Sequence, residues 1–150
     1  IDLRNKFARA LDPVVSCKGL RQAPPQTLLA HTGPGLEALG YLLLLQDGHS
    51  ERQAERKRLR DKLDRILVDV GTVLPFDAQV WANQFADNYN GLKHANRKAP
   101  DAIEVLNSWM QGVLVVRAWT ALTLGVTPER LRDRLSKDPQ SRAYVPMGQA

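Results

Sequence analysis

Cysteine is almost missing from this chain. A single thiol, Cys17, cannot close an internal disulfide, so a disulfide-stapled scaffold is excluded, and a cysteine-based zinc site with it. Long apolar runs are missing too, since the leucine run 42–45 falls far short of the roughly 18 residues a membrane span requires. The first residues are polar and charged, unlike a secretory signal, so a cytoplasmic location with no membrane partner is expected. The sequence has no glycine-rich phosphate loop, no HExxH, no GxSxG and no EF-hand loop. His31, His49 and His94 are too far apart to place two ligands on one helix face, so neither a metal site nor a cofactor is expected. The strict alternation of a half-buried strand is absent as well.

What remains suits one soluble globular domain. The 150 residues are 43% hydrophobic and 25% charged, enough apolar material for a single core and too much for disorder. The chain begins at Ile1 rather than Met, which reads as a piece of a longer protein or a processed chain. Helix signals punctuate it throughout. Ser50 with Gln53 forms a capping-box pattern, Asp77 and Asp101 follow prolines as caps, and Thr127 precedes Pro128 at a first helical position. Gly48, Gly71 and Gly125 mark stops where a left-handed residue is expected.

Between these marks apolar residues recur at intervals of three and four, as in Leu59, Leu63, Ile66 and Val70, or Trp81, Phe85, Tyr89 and Leu92. Helices are predicted over 33–47, 51–70, 78–95 and 102–124, with a short one over 128–136. The fold class is therefore all-α, an antiparallel four-to-five-helix up-down bundle. Residues 1–32 form an N-terminal segment that is partly helical, 33–136 the bundle, and 137–150 a tail. Trp81, Trp109 and Trp119 are assigned to the core.

The charge excess, 21 basic against 16 acidic residues, is clustered. Arg56 and Arg60 belong to a mixed-charge helix over 52–65, either a solvated face or an RNA-binding one. Lys93, His94, Arg97 and Lys98 form a second cluster that contains no acid. If the helix continues, Asn90, His94 and Arg97 share one face. Asn90 can then orient the imidazole while Lys93 and Arg97 supply positive charge. Such a set suits phosphodiester chemistry, with His94 moving protons near neutral pH and the cations stabilising charge on phosphate. A plain polar last turn, with basic residues near the negative helix end, uses the same residues. Glu37 reads more naturally as an acid in its own helix's first turn than as a group facing His94.

The stretch from Tyr89 to Lys98 resembles the motif of the HEPN superfamily, all-helical domains of which many are ribonucleases. That motif is an Arg, four to six residues and then a His, often with a polar residue just after the Arg. Asn90 takes the polar place and His94 that of the histidine, while Tyr89 stands where the Arg would be. The layout from the helix containing Leu36 to the run from Val116 to Gly125 resembles the HEPN domain of ApeA-like anti-phage defence proteins. The resemblance implies metal-independent RNA cleavage by 2′-hydroxyl attack, in a homodimer, with a sensor domain attached in the full-length chain. It implies His94 as the acid/base residue and Asn90 as its orienter or an RNA contact. Arg97, or else Lys93, would replace the missing Arg, and Arg56, Arg60 and Lys98 would hold RNA. The alternative is a degenerate HEPN-like module that binds RNA or dimerises without cutting.

Overall fold

The computed structural model describes residues 3–20 and 22–145. Among the described residues seven α-helices follow one another: α1 (Leu3–Ser16), α2 (Pro25–Gln46), α3 (Glu51–Arg56), α4 (Leu59–Val70), α5 (Ala78–Lys93), α6 (Ala102–Thr123) and α7 (Pro128–Ser136). Single 3-10 turns lie at Cys17–Gly19 and Pro139–Ser141. The described residues contain no strand, and the fold is an all-α bundle.

The start signals act as anticipated. Ser50 accepts from the Gln53 amide at 3.3 Å while Gln53 accepts from the Ser50 amide at 2.9 Å, which closes the capping box of α3. Asp77 and Asp101 each accept two backbone amides at the heads of α5 and α6. Gly48 and Gly125 adopt φ of +92° and +91°, the left-handed stop that glycine permits. Gly71 corrects the expectation, because it stays right-handed at φ −55° and simply extends α4 by a cap.

Three boundaries differ from the pattern reading. The second helix, expected over 51–70, breaks at Lys57 and Arg58, both extended. The Asp61 carboxylate accepts the Arg58 amide at 3.1 Å, so a new helix head competes with continuation of the old helix. The first bundle helix, expected from 33, begins at Pro25, which places the 32/33 boundary inside α2. Pro25 at the first helical position is favourable. Pro34, exposed on the outer face, forfeits one intrahelical bond without stopping the helix. Residues 138–144 are tied to α6: Arg117 pairs with Asp138 at 3.0 Å, and Asn107 exchanges two hydrogen bonds with the Tyr144 backbone.

Helix α2 is the hub. It packs on α1, α4, α5 and α6. Its length and composition would allow a membrane crossing, but Leu29, Leu36, Leu39 and Leu43 are buried against these neighbours. Gly35 lets α1 approach, since a Cβ there would lie 2.6 Å from the Ala10 carbonyl oxygen. Helices α5 and α6 run antiparallel, with Asn88 donating to Ser108 at 2.9 Å and Phe85 seated against Gly112. The aromatic ladder Trp81, Phe85, Tyr89 lines the inner face of α5, with ring centroids 5.4 and 6.2 Å apart. Trp81 and Trp119 are core residues, while Trp109 is half-buried.

Candidate functional site

The site forms where α5 ends. Its last helical residue is Lys93, and His94 follows as an extended cap at φ −122° and ψ 106°. The His94 amide still donates to the Asn90 carbonyl at 3.1 Å, and the Arg97 amide returns to the His94 carbonyl at 3.0 Å. A tight turn therefore replaces the helix that was expected to continue to 95. The cause lies three residues back. The chain folds over Gly91, where a Cβ would meet the Lys98 carbonyl at 3.2 Å and the Pro100 ring at 3.3 Å. Arg97 is thus brought near His94 by the turn rather than along a shared helix face.

His94, Arg97 and Lys98 are exposed, and no acid pairs with any of them among the described residues. Asn90 is half-buried; it meets His94 through its backbone carbonyl, and no side-chain hydrogen bond joins the two. Lys93 is exposed yet held. Its Nζ sits 4.9 Å above the centre of the Tyr89 ring and 3.8 Å from Glu37 Oε2. Tyr89 is only 4% exposed, and its ring lies against Gly33, where a Cβ would overlap it. Burial, and then the charge of Glu37, push the Tyr89 phenol up to about 12. The residue in the place of the motif Arg is therefore a core side chain.

Two members of this site were not read as functional in the sequence. Glu37 lies well inside α2, twelve residues after its start at Pro25, and not in a first turn. Its other carboxylate oxygen takes a hydrogen bond from Lys62 Nζ at 3.2 Å. Lys62 is 5% exposed, although it belongs to the stretch read as a charged helix face. A signal existed in the spacing of Leu59, Lys62 and Ile66, that of a buried stripe; in the structure Gly40 lets α2 approach closely at Lys62.

The other basic candidates divide. Arg56 is exposed at the end of α3, without an ion pair among the described residues. Arg60 is committed to Asp64 at 3.0 Å and to Gln79. Arg65 is shared between Asp47 and Asp69. The remaining histidines have local partners, His31 with Ser16 at 2.9 Å and His49 with the Leu44 carbonyl at 3.1 Å. Cys17 is buried against the Thr32 hydroxyl at 3.2 Å. Among the described residues no group of three or more His, Cys, Asp or Glu gathers as a metal would need.

A family model described as Apea-like HEPN matches residues 45–130, more than half of the chain, from the end of α2 into α7. No curated protein and no solved structure matches.

Proposed function

This chain belongs to the Apea-like HEPN family, and from that membership we propose that it is a metal-independent endoribonuclease domain of a bacterial defence or toxin system. The observation that carries the reading is the exposed group of His94, Arg97 and Lys98 on the turn after α5, none of them ion-paired among the described residues, although Lys98 shares a depression with Asp87, Asp101 and Glu104. The exposed His94 ring makes no hydrogen bond among the described residues, which leaves it open to a substrate hydroxyl. In the proposed reaction His94 removes the proton of a ribose 2′-hydroxyl. The 2′-oxygen bonds to the adjacent phosphorus and the bond from phosphorus to the 5′-oxygen breaks. A protonated His94 of a second copy gives its proton to that departing oxygen. The products are a 2′,3′-cyclic phosphate and a free 5′-hydroxyl. Lys93, Arg97 and Lys98 offset the negative charge that builds on the phosphoryl oxygens.

The test is cleavage of labelled RNA in excess EDTA. Wild-type cleavage should persist, and His94→Ala should lose it by about 100-fold or more, the range of general acid–base catalysis. Cleavage at the wild-type rate by His94→Ala overturns the assignment.

One observation favours a second reading. Tyr89, buried against Gly33, leaves no guanidinium in the place where the family motif has one. A domain so altered would hold RNA, or pair with a second copy, without cutting. RNA binding that weakens steeply with salt, and yields no product, is its signature.

A further inference from the structure

We infer that Glu37 is a positioning residue for Lys93, fixing its ammonium at the end of α5, one residue before His94; this rests on the proposed role of His94 in RNA cleavage. A lysine at the end of a helix normally sweeps through solvent on a flexible stem. Lys93 instead has a floor and a wall. The floor is the Tyr89 ring, 4.9 Å below Nζ, and that ring rests on the α2 backbone at Gly33. The wall is the Glu37 carboxylate, 3.8 Å away.

Glu37 is in turn anchored from behind. Lys62 donates to its other oxygen at 3.2 Å, and Lys62 is buried under the close approach of α4 to Gly40. The row Lys62, Glu37, Lys93 therefore ties α4, α2 and the last residue of α5 together. It contains two cations and one anion, so positive charge survives at the end that faces solvent. An ammonium has three protons. Those directed away from Glu37 remain free for a phosphate oxygen. Arg97 and Lys98 have no ion pair or ring contact among the described residues. Of Lys93, Arg97 and Lys98, Lys93 is the one held by contacts before substrate arrives, and such preorganisation acts on the transition state more than on binding.

The experiment is a double-mutant cycle in the whole chain with Glu37→Gln, Lys93→Gln and both together. Glu37→Gln should lower kcat about tenfold with KM little changed, within the range a misplaced catalytic group produces. The double variant should be no slower than Lys93→Gln alone, because Glu37 acts through Lys93. Additive losses, or a wild-type kcat in Glu37→Gln, overturn the inference. Since Glu37→Gln strands the buried Lys62, Glu37→Gln with Lys62→Met separates folding from positioning. It should melt near wild type and remain slow; a restored kcat makes the role merely structural. A readout free of activity is the NMR order parameter of the Lys93 Nζ group. It should fall in Glu37→Gln, and an unchanged value overturns the inference. If wild type fails to cut RNA while that order parameter still falls, the ribonuclease reading fails and the positioning stands.

Discussion

At the scale of single residues, Tyr89 decides most about this site. Its ring fills the space between α5 and the glycine-bearing stretch of α2, and its hydroxyl resists ionisation because burial and Glu37 both penalise the anion. The phenol should remain protonated at pH 11, as read from its ring carbon shifts by NMR. An unfolded tyrosine titrates near 10 and the folded one near 12, so between these values the folded state holds the extra proton. Stability from this residue is complete below pH 10 and declines as pH rises toward 12, by about 2 kcal/mol. Denaturant titrations at pH 9 and pH 11.5 should register the decline, and Tyr89→Phe should flatten it. Gly33→Ala tests the same contact. Alanine improves helix propensity by up to about 1 kcal/mol, but a methyl in the Tyr89 ring should cost about 1–3 kcal/mol, so the melting temperature should drop. The burial of Tyr89 was legible from its place in the stripe with Trp81 and Phe85. The pairings of Glu37 were not, because its partners lie on α4 and α5, and no local pattern announces contacts between distant segments.

At the scale of elements, the capped heads of α3, α5, α6 and α7 were legible, while those of α2 and α4 and the end of α5 were not. A cap acts within three residues, so Ser50, Asp77, Asp101 and Thr127 declare themselves in the local sequence. The end of α5 depends on Pro100 and the Lys98 carbonyl packing over Gly91, a contact across the following loop. That contact turns the backbone at His94 and separates Arg97 from the helix face where Asn90 lies. The break between α3 and α4 was not read from the sequence: the Asp61 carboxylate accepts the Arg58 amide and heads a new helix where a continuous one was expected. Asp101 both heads α6 and closes the loop carrying Arg97 and Lys98. Asp101→Ala should destabilise the fold by about 1 kcal/mol in equilibrium urea unfolding, a typical value for a lost helix cap.

At the scale of the whole molecule, the net charge of +5 is distributed unevenly in its availability. Arg60, Lys62 and Arg65 are committed to Asp64, Glu37, and Asp47 with Asp69. They bind helices to one another. Arg56 and the turn after α5 carry cations without an ion pair among the described residues. If that partner is RNA, Arg56→Glu should weaken binding and reduce the slope of log affinity against log salt by about one, as fluorescence anisotropy would record. Arg60→Glu sets two carboxylates on successive turns of α4 and is expected to act through stability.

The sequence by itself determined that this chain is an all-α domain with a basic end on α5. Apolar spacing and capping residues act over a few positions, and the residues from Tyr89 to Lys98 carry the family resemblance in one short stretch. Only the tertiary structure decided what those residues meet. It placed Tyr89 in the core and stopped α5 at Lys93. It also sent the buried Lys62 to Glu37 and Glu37 to Lys93. The reason is one of range: hydrogen bonding and periodicity are local, whereas ion pairs and close backbone approaches depend on which glycines let distant helices touch.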